Sequence, residues 1–395
     1  MIGVQEAQER IVQQVNPLGK TSRALHEACG YTLYEDILAP LSIPPFPQSA
    51  MDGYAIRYED FEKFDSFKMV GEIPAGTTKK AVIREGETMR IFTGAPVPDG
   101  AGMVIMQENA EVKGESVVFF QSDAKKGLNI REIGEQIKQG TLALAAKHTI
   151  NERSIGLLAS LGISTIQVFK KPKIGILITG DELQPPGETL QYGQIYESNG
   201  EMLRAVLMQF GFDVEITRRA TDNLGETEQI LSELIDRVDV VLTSGGISVG
   251  KYDFIKAASE KNQFNEVFYK IRQKPGKPLY FAKNQDTYLF ALPGNPASLL
   301  VCFYFYVLPA LRILAGSEST FLPEKRGRLT HDYEKKGTRS QFLKALVHGS
   351  DVSLQQFQSS FDMYAFAHSN CMVFLPEKEK SYKKGDDVTI FELPN

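Results

Sequence analysis

The first fifteen residues set apolar Val4, Ala7, Ile11, Val12 and Val15 on one helical face among Gln and Glu, which predicts an amphipathic helix. Residues 31–39 then read as strand-like and end at the prolines 44, 45 and 47. From about 46 to 136 the pattern changes to short apolar runs between Gly/Pro turns, among them Gly71-Glu72-Ile73-Pro74-Ala75-Gly76. Strands and turns at that spacing predict a small β-barrel or sandwich. A helical stretch at 151–161, stopped by Gly162, leads into a strand at 163–169 and is expected to pack back on the first block.

From about 173 the rhythm alternates. An apolar strand at 174–178 precedes Met202, Leu203, Val206, Leu207 and Phe210 at helical offsets, repeated by Ile230, Leu231, Leu234, Ile235 and Val238. A strand at 240–243, a helix near 254–260, strands near 267–271 and 288–292, and a helix after Pro296 complete the block. This βαβ order predicts a parallel sheet covered on both faces. Residues 288–311 carry no charge, but Pro293, Gly294 and Pro296 should leave a helix too short to span a bilayer, so a buried core helix is expected. Short strands at 342–347, 372–375 and 388–391 predict a second small barrel. The fold class is therefore multidomain α/β. A discontinuous α+β linker domain takes 1–44 with 137–172, and a β-rich domain takes 45–136. The α/β domain takes 173–318, and a C-terminal β-barrel takes 319–395.

Composition narrows the function. With 24% charged residues and a net charge of −5, the chain gives no support to general nucleic-acid binding, so an anionic ligand must meet a local basic patch. The three cysteines form no CxxC pair and the five histidines no metal-ligand spacing. This fits a reducing cytoplasm and no zinc-thiolate site. The N-terminus lacks the layout of a signal peptide.

In open parallel sheets, ligands bind at the carboxyl ends of the strands. Those ends here carry Thr179-Gly180-Asp181-Glu182, then Thr221-Asp222, then Ser244-Gly245-Gly246 with Ser248, Gly250 and Asp253 beyond. Lys274-Pro275-Gly276-Lys277 and Pro293-Gly294-Asn295-Pro296 follow. A strand ending in Ser-Gly-Gly brings bare backbone N–H groups to a place an anion can approach. Carboxylates beside it suit Mg²⁺, which bridges one or two acids to substrate phosphates, and lysines offset phosphate charge. Neither a P-loop nor a dinucleotide fingerprint is present. In the second block, Asp52-Gly53 and Thr93-Gly94 form another polar pair of turns.

Together these residues resemble the molybdopterin molybdenumtransferase family, the bacterial MoeA proteins and the gephyrin E domain. The motifs are SAMDGYA at 49–55, TGAPVPDGA at 93–101, SGGISVG at 244–250, KPGKP at 274–278 and LPGNP at 292–296. The α/β block is also similar to molybdopterin adenylyltransferases. The resemblance implies a four-domain homodimer with a composite cleft that inserts molybdate into adenylylated molybdopterin and releases AMP, using Mg²⁺ or another divalent cation. It implies that Asp52 and Thr93 line the second-domain wall, and that Glu182, Asp222 and Asp253 bind the cation or poise the phosphoanhydride. Lys270, Lys274 and Lys277 would meet anionic groups. Ser244, Gly245, Gly246, Ser248, Gly250, Pro293, Gly294, Asn295 and Pro296 would shape the nucleotide and pterin pocket. A molybdopterin adenylyltransferase is implied as a candidate partner, and an adenylyltransferase activity or a non-catalytic scaffold are the alternative functions. Two positions depart from the family pattern: Gln136 and Gly102 stand where acids are usual.

Overall fold

The computed structural model describes residues 1–122, 124–247, 254–379 and 381–394. The chain divides into two compact units, one of 22–29 and 35–166, the other of 1–21, 30–34 and 167–395.

The smaller unit is built on a six-stranded sheet. Its spatial order is Met103–Met106, Gly53–Ile56, Glu87–Ile91, Phe67–Ile73, Ser116–Phe119 and Ala110–Lys113. Both faces are apolar: Ala55, Ile73, Ile91 and Val104 cluster on one, Ile56, Phe67, Met103 and Ile105 on the other. No pairing closes this sheet among the described residues. The helix Glu152–Ser160 begins as its sequence predicts, with Asn151 and Ser154 forming a reciprocal capping box.

The larger unit holds the α/β domain. Its strands are β1 (Ile174–Thr179), β2 (Val214–Ala220), β3 (Val240–Ser244), β4 (Asn265–Tyr269), β5 (Tyr280–Lys283) and β6 (Tyr288–Leu292). The spatial order is β2-β1-β3-β6-β5-β4. The first four are parallel, but β5 runs antiparallel to both β6 and β4. The sheet is thus mixed, not wholly parallel as the alternating pattern suggests. The four-residue β5, between Pro278 and Asn284, is the strand that pattern did not reveal. Because β4 and β6 both pair antiparallel with β5, they point the same way, and the loop after β4 still leaves at the carboxyl edge.

The helices Pro296–Cys302 and Leu308–Leu314 are joined by a π-helical turn, Phe303–Val307, into one apolar rod of 19 residues whose most apolar window is 89% buried. The prolines break the apolar run as expected, into β6 and a helix that starts at Pro296, but the helix runs on to Leu314 and is not too short; its burial, and not its length, marks it as a core helix. Pro309 has no N–H to offer the carbonyl four residues back, which suits the wider turn before it. That carbonyl, of Phe305, instead accepts a long bond from Gln8 Nε2 at 3.4 Å. Gln8 lies on the N-terminal helix Val4–Gln14, whose Val4, Ala7 and Ile11 join the same core. The C-terminal strands Glu324–Leu329, Ser340–His348, Asp351–Leu354, Cys371–Leu375 and Asp387–Glu392 pair in a closed circuit, the barrel the sequence predicts.

Candidate functional site

In the smaller unit Gly53 is required by packing. A Cβ there would lie 1.9 Å from the Ile105 carbonyl oxygen, so the strands approach as only glycine permits. The preceding turn presents Asp52, whose Oδ1 accepts from the Thr93 N–H at 2.7 Å and the Thr93 hydroxyl at 2.8 Å. The backbone bond, then the hydroxyl, hold the exposed Asp52 carboxyl below its ordinary range, and the Arg90 charge adds to this. The two turns singled out in the sequence therefore form one unit. Gly102 has a physical reason: a Cβ would sit 2.7 Å from Tyr58 Cβ. Gln136 is exposed, and the neighbouring Glu135 carboxylate is engaged by the Glu132 N–H at 3.0 Å.

At the carboxyl edge of the α/β sheet, Ser244 ends β3, and Gly245 (φ +86°) and Gly246 (φ +63°) turn the chain in the left-handed region. A side chain at Gly245 would meet the Thr179 carbonyl oxygen at 2.7 Å. Asn199 ties this turn to the next: its Nδ2 donates to Ser244 Oγ and to the Gly294 carbonyl, each at 2.8 Å. Because a carbonyl cannot donate, the Gly294 contact fixes which way the amide points, and it leaves Asn199 Oδ1 buried without a partner among the described residues. Asn199 is not among the residues the motifs nominate. Its only sequence signal is its place in a Ser-Asn-Gly step opening a helix.

The acids gather nearby. The Asp222 N–H donates to Asp181 Oδ1 at 3.1 Å. Partial burial, then the charges of Asp181 and Glu182, push the Asp222 carboxyl up. Asp181, one of the strand-end carboxylates of the sequence but outside the cation set that the resemblance implies, belongs with Glu182 and Asp222. Among the described residues no three such side chains are arranged to hold a metal ion. Ser248, Gly250 and Asp253 lie outside the described residues.

The lysine loop is held from behind. Gln273, fully buried, donates from Nε2 to the Pro275 carbonyl at 3.0 Å and accepts from the Tyr306 hydroxyl. Gly276 (φ +85°) has no room for a side chain, since a Cβ would lie 2.7 Å from Cys302 Sγ. This fastens the loop to the rod that starts at Pro296, beside Pro293, Gly294 and Asn295. Lys274 and Lys277 are exposed and enter no ion pair among the described residues. Lys270 differs from them: its ammonium rests 4.3 Å from the centroid of the Tyr269 ring. Neither Gln273 nor Tyr306 is marked by any motif.

A multidomain α/β protein with glycine turns, acids and exposed lysines gathered at the carboxyl edge of its central sheet is the class these features define. Three family models match: MoeA N-terminal region (domain I and II) over 2–162, probable molybdopterin binding domain over 175–313, and MoeA C-terminal region (domain IV) over 326–393. The molybdopterin molybdenumtransferase of Haemophilus influenzae is 35% identical, covering 99% of this chain and 98% of its own. That of Staphylococcus aureus is 32% identical, over 98% and 95%. Among solved structures, the molybdopterin biosynthesis MoeA protein of Pyrococcus horikoshii superposes with a TM-score of 0.86 at 28% identity, covering both chains fully. The chain belongs to the molybdopterin molybdenumtransferase family.

Proposed function

We propose that this chain inserts molybdate into adenylylated molybdopterin and releases AMP, a step of molybdenum cofactor biosynthesis. The observation that carries the reading is the convergence at one sheet edge: the Ser244–Gly246 turn, Gly294 joined to it through Asn199, and the acids Asp181, Glu182 and Asp222. Backbone N–H groups of the glycine turn would bind the phosphoryl oxygens, and Lys274 and Lys277 would draw in molybdate and stabilise the charge that grows as the phosphoanhydride opens. Asp52, kept ionised by Thr93, would orient a donor group of the substrate. Lys270, with its ammonium on a ring, has a secondary part in this reading.

Mg²⁺ fits the donor set. The charges of Asp181 and Glu182 that push the Asp222 carboxyl up would be offset by a divalent cation, and Mg²⁺ needs only one or two carboxylates when water completes its shell. Glu182 and Asp222 would hold it, with Asp253 the further acid the family resemblance implies. When bound, it would polarise a phosphoryl oxygen and neutralise AMP as leaving group. We also infer a cytoplasmic homodimer in which the second domain of one subunit serves the α/β domain of the other, and a molybdopterin adenylyltransferase as the source of substrate.

The test is AMP release by the purified protein from adenylylated molybdopterin, with and without molybdate. Molybdate-dependent release is expected. Release without molybdate, or AMP transfer from ATP onto molybdopterin instead, would overturn the reading. Mixing the inactive variants Asp52→Asn and Asp222→Asn should restore part of the activity if subunits share sites; a mixture as inactive as its components would refute the shared cleft.

A further inference from the structure

The C-terminal barrel reaches the same site through a buried charge. On the strand Ser340–His348, Leu343 and Ala345 face the barrel interior, while Phe342 packs on Phe305 of the core rod, ring centroids 4.2 Å apart. Lys344 alternates onto the Phe342 side and is only 4% exposed. A buried ammonium is costly unless its donors are satisfied. Here they go to the carbonyls of Ser359 at 2.9 Å and Asp362 at 3.1 Å, with the Asp362 carboxylate 3.9 Å away. The backbone of the same residue exchanges bonds with the Gln358 side chain, 2.9 Å each way. The turn thus wrapped around Lys344 carries Ser360. Its hydroxyl oxygen accepts from Asn295 Nδ2 at 3.1 Å, and its carbonyl accepts from the Ser298 N–H at 3.3 Å.

We propose that Lys344 is a positioning residue for the reaction, holding the Ser359–Asp362 turn so that Ser360 fixes Asn295 at the pocket rim. The inference rests on the assignment of Asn295 and Gly294 to the substrate pocket. A methionine of similar length would fill the space but take its donor from the Asp362 carbonyl, leave the Ser359 carbonyl only the long bond from the Asp362 N–H at 3.3 Å, and strip the Asp362 carboxylate of its counter-charge. Burial also lowers the Lys344 ammonium from its usual range, as expected of a charge kept out of water.

The experiment is steady-state AMP release by Lys344→Met, Lys344→Arg and Ser360→Ala in the full chain, with adenylylated molybdopterin varied at saturating molybdate. Lys344→Met is expected to raise KM about tenfold, or ~1.4 kcal/mol, with a smaller change in kcat. Lys344→Arg should recover most of the loss. Ser360→Ala, which leaves the buried lysine in place, should reproduce the KM rise, and combining it with Asn295→Ala should add little. A Lys344→Met protein that melts earlier but keeps its KM would reduce Lys344 to a structural residue and overturn the proposal. If Lys344→Met does not fold, an unchanged KM in Ser360→Ala overturns it equally. Absence of molybdate-dependent turnover in the unaltered chain would instead refute the functional reading itself.

Discussion

Tyr306→Phe removes one oxygen atom at a fully buried position and changes no shape. Its hydroxyl serves Gln273 Oε1, and both residues are at 0% exposure. Burial, with nearby Cys302, raises the Tyr306 hydroxyl well above its ordinary range, so it is a neutral donor at any working pH. Without it the Gln273 carbonyl oxygen is stranded, at a cost of about 1–3 kcal/mol. That strain falls on the loop of Lys274 and Lys277, because the same amide donates to Pro275. Cys302 reports the loop's opening: its thiol is buried and donates to the Gly276 carbonyl at 3.6 Å. Thiol labelling followed by mass spectrometry should find Cys302 reacting about 5- to 150-fold faster in Tyr306→Phe, the population change that this energy gives for local opening. Cys371, buried in the barrel, should label as before, and exposed Cys29 should label at once in both proteins. Tyr304→Phe is the control, since the Tyr304 hydroxyl has no hydrogen-bonded partner among the described residues. An unchanged Cys302 rate in a folded Tyr306→Phe protein would refute the idea that this network holds the lysine loop.

Two further outcomes concern charge. Asp52 has a depressed pKa, so activity that needs its carboxylate persists below the ordinary carboxylate range and falls only as pH drops through the folded value. Thr93→Val removes the hydroxyl but not the backbone N–H, so the acid limb of the pH–rate profile should move part of the way upward; an unmoved limb would exclude Asp52 from the rate. Asp222 has the opposite shift: the folded chain retains its proton to higher pH, so this group's contribution to stability is lost as pH rises through its folded pKa. Mg²⁺ should therefore raise the melting temperature more at neutral than at acid pH, and the difference should vanish in Asp222→Asn. Equal Mg²⁺ stabilisation of that variant would remove Asp222 from the cation site.

Much of this architecture is legible from local rules. Glycines and prolines sit where chain reversals need them, so the turns at 52–53, 93–94, 244–246 and 292–296 stand out in the sequence and fall at strand ends. Long periodic stretches such as Val4–Gln14 and Leu224–Ile235 are helices. What escapes local rules is set by tertiary placement. The strand β5 is too short for alternation to declare it, and its direction depends on its neighbours. Asn199, Gln273, Tyr306 and Lys344 act through partners far away in the sequence, and a polar residue in an apolar run looks the same whether it is bonded or not. The apolar rod is core, but not because its prolines cut it short: burial by the rest of the fold cannot be seen in its own composition.

The N-terminal helix has a biosynthetic consequence. Val4, Ala7 and Ile11 pack in the α/β core, Ile2 bridges to Ile271, and the Leu18 N–H bonds the Leu314 carbonyl. On the ribosome these residues emerge well before any of those partners, and the whole smaller unit is synthesised between them. That unit has its own apolar clusters and can condense first, while the helix keeps its greasy face unmatched. The last turns of the rod then close a core whose first piece was made at the outset. A nascent chain halted short of Leu314 is therefore a target for chaperones and proteases, although most of its length has already been made.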